Sequence, residues 1–250
     1  MWEMMMNHNG EPKKPGQAIL DIQGVTKSFG NLIAVNDMSF TIERGKITGL
    51  IGPNGAGKTT LFNVITKVLK LDKGKIYFDG KDITDFKPHQ IARQGIGRTW
   101  QVIRIFSKMT VLENLMIAAN VKEANPYKKA IGLLEHFGLI DERDNYAGEL
   151  SVGQQKILSM ARILMFDADL MLLDEAAAGV NLSEQAIILQ FIHELCEQQG
   201  KTFFIIEHDM EFIMGHCDKV LCMNFGEKIA EGTCDEIQRD QRVIEAYFGT

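Results

Sequence analysis

GPNGAGKT, residues Gly52 to Thr59, decides how the rest of the chain is read. It fits the spacing GxxxxGK followed by Ser or Thr, in which a glycine-rich turn presents consecutive backbone N–H groups to one anion. Gly52, Gly55 and Gly57 open φ values closed to residues with a Cβ, so the loop can close around a phosphate. Pro53, Asn54 and Ala56 complete the cradle. Lys58 can reach the β- and γ-phosphates, Thr59 offers a hydroxyl to Mg²⁺, and Thr60 enters a helix whose positive end faces the same charge. The flanks supply the strand and helix this motif requires. KITGLI, Lys46 to Ile51, reads as a short buried strand, and Leu61, Phe62, Ile65 and Leu69 fall near helical spacing over Thr60 to Leu69.

Composition narrows the class. With 250 residues, 45% hydrophobic and 24% charged, the chain can bury a full core in one or two domains. Net charge is −6, from 27 basic and 33 acidic residues, and there is no basic tract. Nucleic acid is therefore not expected as a partner, because neutralising its backbone takes clustered Lys and Arg. Cys196, Cys217, Cys222 and Cys234 show no CxxC spacing and are expected as reduced core thiols. Met1 to Gln17 has no periodicity and no apolar signal-peptide core, so a disordered lead-in is expected there, with the fold beginning near Ala18. No apolar run approaches the ~20 residues of a spanning helix, so service to a membrane requires a partner that spans it.

Ahead of the loop, ILDIQGVTKSF and AVNDMSFTI alternate apolar residues around Gly30 and Asn31, as antiparallel strands do. Phe29 can stack on an adenine or simply fill a small sheet; strands use aromatics for either. GKIYFDGKDI, Gly74 to Ile83, alternates around Asp79-Gly80 and reads as a hairpin. GIGRTWQ brings a strand to Gln101, which taken alone is a polar residue at a strand end. TVLENLMIAAN, capped by Thr110 with Glu113 three residues on, and Tyr127 to Phe137 read as helices.

ELSVGQQKILSMARILMF carries a second anion-facing element. Ser151 is a good N-cap, and Ile157, Met160, Ala161 and Leu164 follow at helical spacing, so Ser151 and Gly153 sit where a helix start can meet an anion. DLMLLDE follows. Leu170 to Leu173 is a continuous apolar run suited to a parallel strand buried on both faces, and it delivers Asp174 and Glu175 at its end. Ser183 is expected to cap a helix with Ile188, Phe191, Ile192 and Leu195 on one face. TFFIIEH is another buried strand, ending at His208, and KVLCMNFGEKIAEG reads as a closing hairpin.

In this order a phosphate loop, a glutamine at 101, LSxGQ at Leu150 to Gln154 and DLMLLDE resemble the ATP-binding cassette (ABC) ATPases, over roughly Ala18 to Gly249. The resemblance implies an α/β P-loop NTPase with a RecA-like core, an antiparallel β subdomain and a helical signature subdomain from about Val102 to Phe166, within one domain over 18–250. It implies ATP and Mg²⁺ as cofactors. Thr59, Gln101 and Asp174 would serve the metal, Glu175 the attacking water and His208 the γ-phosphate, and Phe29 would contact the nucleotide. Ser151, Gly153 and Gln154 would cover the γ-phosphate held by a second cassette, same chain or related, and AAAGVN is similar to the dimer-contacting D-loop.

RTWQVIRIFSKMTVLENLMIAAN, AAAGVN and VIEAYFG look like the ATP-binding subunits of branched-chain amino acid importers, with urea importers close by. That resemblance implies transmembrane permease subunits as partners, a place on the cytoplasmic face of the membrane, and no contact with the transported solute. A soluble ABC protein acting as a regulatory clamp, or the ATPase of a lipid or polysaccharide exporter, are the other readings. Three positions depart from the family: Val152 for the first glycine of LSGGQ, Ala176 for the usual proline after the catalytic Glu, and Asn181 for the Asp of many D-loops. Asn181 still forms hydrogen bonds, but not as an anion.

Overall fold

A computed structural model describes residues 16–121 and 123–248. The lead-in expected over 1–17 falls, but for its last two residues, outside the described residues. β1 (Ala18–Phe29) and β2 (Leu32–Glu43) pair antiparallel around Gly30 and Asn31. β3 (Ile47–Ile51) runs into the phosphate loop and α1 (Lys58–Ile65) leaves it. β4 (Lys73–Phe78) and β5 (Lys81–Asp82) turn at Asp79 and Gly80, whose φ values of 54° and 75° give the two-residue turn that matches a hairpin's twist. α2 (Pro88–Gln94), β6 (Ile96–Arg98), α3 (Val111–Met116), α4 (Pro126–His136) and α5 (Val152–Met165) lead to β7 (Leu170–Asp174). α6 (Leu182–Gln199), β8 (Thr202–Ile206), α7 (Met210–His216), the hairpin β9 (Lys219–Asn224) and β10 (Glu227–Gly232), α8 (Cys234–Arg239) and α9 (Gln241–Phe248) complete the described chain.

The strands form an antiparallel sheet, ordered β2-β1-β4-β5, and a larger sheet ordered β10-β9-β3-β8-β7-β6, parallel except for β10. Every residue of β3, β7 and β8 is buried, as continuous apolar runs require of strands covered on both faces. Alternation then sorts side chains between two cores. Ile47, Met171, Leu173, Phe203 and Ile205 join the helices α3 to α7, while Leu50, Leu170, Leu172, Phe204 and Ile206 join α1 and the antiparallel sheet. The carboxyl ends of β3, β7 and β8 therefore line up, and each carries a polar loop: Gly52 onward, Asp174-Glu175, and Glu207-His208.

Several boundaries differ from the sequence expectation. α1 stops at Ile65 rather than Leu69, because the Thr66 hydroxyl donates back to the Phe62 carbonyl at 2.7 Å and Lys67 turns to a φ of 58°. β6 ends at Arg98, so Gln101 lies in irregular chain beyond it. The helix capped by Thr110 has the expected reciprocal bonds with Glu113 but ends at Met116. Ser183 does not cap α6. Asn181 does, accepting from the Glu184 N–H, while the Ser183 hydroxyl donates to the Asn181 side chain at 2.6 Å. All four cysteines are free thiols.

Candidate functional site

The phosphate loop depends on glycine at its two ends. Gly52 has φ 149°, and a Cβ there would stand 2.1 Å from the Met223 carbonyl oxygen; Gly57 has φ 101°, with the Ala34 carbonyl oxygen equally close to its missing Cβ. β2 and β9 thus grip the loop from outside, and the Gly226 N–H adds a bond to the Ala56 carbonyl at 3.0 Å. Lys58 is folded back over the loop, donating to the carbonyls of Gly52 at 2.6 Å and Pro53 at 3.0 Å. Burial lowers its pKa, and the Glu175 charge opposes this most. On the other side the Gly52 N–H donates to the Tyr247 hydroxyl at 2.7 Å. Asn54, Gly55 and Thr59 are exposed, leaving the mouth of the loop open.

At the end of β7 the two carboxylates part. Asp174 is buried and paired with Arg98 at 2.8 Å, their side chains 1% and 4% exposed. Arg98 also donates to Asn63 of α1 at 2.6 Å, so it ties the carboxylate at the end of β7 to the helix that leaves the loop. Burial pushes the Asp174 carboxyl up and Arg98 opposes this; its Oδ1 is buried with no hydrogen-bond partner. Glu175 has φ 53° and turns its carboxylate to two sequence-selected residues: Gln101 Nε2 donates to Oε2 at 3.0 Å, and His208 Nε2 lies 2.7 Å from Oε1. Gln101, Glu175 and His208 come from three separate segments, and the aligned ends of β6, β7 and β8 bring them together.

The loop after Glu175 is held from beneath. Lys156 of α5 donates to the carbonyls of Glu175, at 2.7 Å, and Ala178. Glu207 accepts from the Ala177 N–H at 2.7 Å, and burial pushes its carboxyl up to about 7. A carboxyl raised in the fold is protonated where the unfolded chain's is ionised, so its contribution is full below about 4.5 and lost as pH rises through 7. That loss is worth about 3 kcal/mol. Glu207→Gln is expected to flatten this part of the stability curve, measured as the difference between wild-type and variant denaturant midpoints from pH 4.5 to 8; parallel curves would sink the assignment.

Ser151 caps α5 as expected, exchanging bonds with Gln154. Its hydroxyl also donates to Glu184 at 2.8 Å, and a Cβ on Gly153 would stand 2.1 Å from that carboxylate. Among the described residues, no hydrogen bond joins Ser151, Gly153 or Gln154 to the phosphate loop of the same chain. Phe29, at the end of β1, is 47% exposed with the Lys27 ammonium 5.5 Å from its ring centroid. Beside Gln101 a cavity of about 680 Å³ opens between β6 and α5, lined by Arg98, Trp100, Arg104, Phe106 and Arg162. The Trp100 ring is met by two guanidinium groups, that of Arg98 at 4.3 Å from its centroid and that of Arg104 at 3.8 Å.

Residues 35–178 match the ABC transporter family. The chain belongs to it. Residues 227–250 match a second description, the branched-chain amino acid ATP-binding cassette transporter. A probable branched-chain amino acid transport ATP-binding protein, LivG of Archaeoglobus fulgidus, is 39% identical over 92% of this chain and 95% of its own. The high-affinity branched-chain amino acid transport ATP-binding protein BraF of Pseudomonas aeruginosa is 36% identical over 92% of this chain and 98% of its own. Among solved structures, a nucleotide-free ATP-binding cassette from an ABC transporter superposes with TM-score 0.86 at 36% identity, covering 94% of this chain and 100% of that one. The ADP conformation of such a cassette superposes at 0.84, also 36% identical, over 94% and 100%. This protein is an ABC transporter ATPase that binds nucleotide, with the α/β P-loop fold expected of one.

The ABC motifs were readable in sequence, but five residues that hold them were not. Arg98, Lys156, Glu184, Glu207 and Tyr247 each brace a motif from a distant segment. Arg98 and Glu207 carried a usable signal, a charge inside or beside a buried strand, which demands a partner. Lys156, Glu184 and Tyr247 look like ordinary helix residues.

Proposed function

We propose that this chain is the ATP-hydrolysing subunit of an importer for branched-chain amino acids, peripheral on the cytoplasmic face of a membrane through permease subunits. The match of residues 227–250 to the branched-chain cassette description carries the solute class, because that segment is outside the shared nucleotide motifs. Residues 18–250 act as one cassette, with about 102–166 as its helical part, and close head to tail on a second cassette. No described helix is long and apolar enough to cross a membrane, so the permease does the spanning.

In this reading the backbone N–H groups of Asn54 to Thr60 and the Lys58 ammonium hold the phosphates, and Lys58 leaves the Gly52 and Pro53 carbonyls to do so. Thr59, Asp174 and Gln101 suit Mg²⁺: all three offer hard oxygen donors, and the partnerless Oδ1 of Asp174 is a buried acceptor in want of a cation or its water. The bound metal supplies neutralisation of developing phosphate charge. Glu175, oriented by Gln101 and His208, positions or deprotonates the attacking water. Ser151, Gly153 and Gln154 serve the partner's nucleotide. The cavity beside Trp100 suits the permease contact, since a segment seated there bears on the residue next to Gln101.

Phe29→Ala is expected to weaken ATP binding about fivefold, the equivalent of about 1 kcal/mol of aromatic stacking, in calorimetric titration. Equal affinity at unchanged stability returns Phe29 to a sheet-filling role. The function itself is tested by purifying the chain with its membrane partners and measuring ATPase in proteoliposomes with solute-loaded binding protein. Stimulation by leucine, isoleucine or valine is expected. Stimulation by urea would replace the solute, and outward transport of lipid or polysaccharide, or no multispanning partner at all, would replace the importer assignment.

A further inference from the structure

The C-terminal helix ends on the phosphate loop. α9 is seated by Val243, buried in the helical core, and Tyr247 packs partly against the same core. From there its hydroxyl meets the Gly52 N–H at 2.7 Å, across 195 positions of sequence. Burial pushes the phenol up to about 12, so it stays a neutral acceptor at any working pH.

The bond falls on one of the two glycines that no other residue can replace in the loop. Gly52 is held at φ 149° against the Met223 carbonyl, its own carbonyl accepts from Lys58 at 2.6 Å, and its N–H is given to Tyr247. These two ties respond differently to a nucleotide. The Lys58 bond is given up when the ammonium turns to the phosphates, whereas the Tyr247 bond is made to the other peptide group of this residue, the Ile51–Gly52 amide, and that turn does not remove it. Once nucleotide is bound, Tyr247 is the side chain still fixing Gly52.

We propose that Tyr247 is a positioning residue for the nucleotide site, its hydroxyl holding the first peptide of the phosphate loop so that ATP affinity depends on how α9 is seated. This rests on the reading that Gly52–Thr60 holds the phosphates. It makes α9 an element through which whatever contacts the end of the chain sets nucleotide affinity.

Tyr247→Phe keeps the ring and removes the acceptor. Because the lost bond matters more in the bound state than in the free one, Kd and KM for ATP are expected to rise about fivefold, the size of one neutral hydrogen bond. The kcat should stay within about twofold and the nucleotide-free melting temperature should fall by only about 2–4 °C, a KM-against-kcat split that a purely structural role does not produce. Val243→Ala, which loosens α9 without touching the loop, should also raise Kd, but add little on top of Tyr247→Phe. Full additivity of the two overturns the route through the hydroxyl. Lys58→Ala is the control. If it loses ATP while Tyr247→Phe matches wild type in Kd and KM, the positioning role is wrong and the nucleotide site stands; if Lys58→Ala binds ATP normally, the site reading itself fails, and this inference with it.

Discussion

Glu175→Gln is expected to bind Mg-ATP near wild-type affinity and hydrolyse it roughly 10²- to 10⁴-fold more slowly, the range for losing a general base. Glutamine fills the same space, but its side chain has one acceptor where the carboxylate has two. Glu175 receives Gln101 on one oxygen and faces His208 on the other, so the amide must turn its NH₂ toward one of them. The anion that would attract a water proton is gone, while Lys58 and the loop amides are untouched. ATP-bound dimers should therefore accumulate, visible as a shift in size-exclusion chromatography with Mg-ATP and absent with ADP. Turnover close to wild type would dismiss Glu175 as the hydrolytic carboxylate.

Ser151→Arg and Lys58→Ala are each expected to be inactive alone and to regain activity when mixed. In a head-to-tail dimer every site joins the phosphate loop of one chain to Ser151 of the other, so each homodimer has one broken half in both sites. The mixed dimer concentrates both defects in one site and leaves the second intact. With free exchange half the dimers are mixed and half their sites work, giving about a quarter of wild-type ATPase if sites act independently. The geometry favours the test. The Ser151 hydroxyl lies 2.8 Å from the Glu184 carboxylate, so an arginine in its place has an acid of its own chain to pair with, and the variant should fold. If the native pair joins this chain to a different cassette, the same substitutions go into the two chains of that complex. Full activity of Ser151→Arg alone would sink the composite site.

How much of this was legible follows from the distance over which each feature is made. The phosphate loop, the cap at Ser151 and the strand carrying Asp174 and Glu175 are local patterns, and spacing alone located them. What fixes them is not local. Arg98 reaches Asp174 across 76 positions, Ser151 reaches Glu184 across 33, and neither distance leaves a period in the sequence. The cap of α6 differs from the sequence expectation for a smaller reason: Asn181 and Ser183 are both good caps two residues apart, and the capping-box partner Glu184 stands three residues from the first. The departure at Ala176 also gains a meaning only in three dimensions. A following proline pushes its predecessor toward extended backbone, and Glu175 instead takes φ 53°, a conformation alanine leaves open.

The order β10-β9-β3-β8-β7-β6 has a consequence for how the molecule comes into being on the ribosome. β3, which carries the phosphate loop, lies between β8 and β9, and its register runs from Ile47 beside Phe203 to Ile51 beside Cys222. Both neighbours are made roughly 150 or more residues after it, at about 5–20 residues per second. For several seconds the strand that defines the site has two open edges and no sheet to join. The antiparallel sheet, whose pairs lie close in sequence, can form first, and the nascent chain must keep β3 from foreign partners until its last third emerges. Truncation before Cys222 should therefore yield an aggregating chain rather than a smaller nucleotide-binding domain.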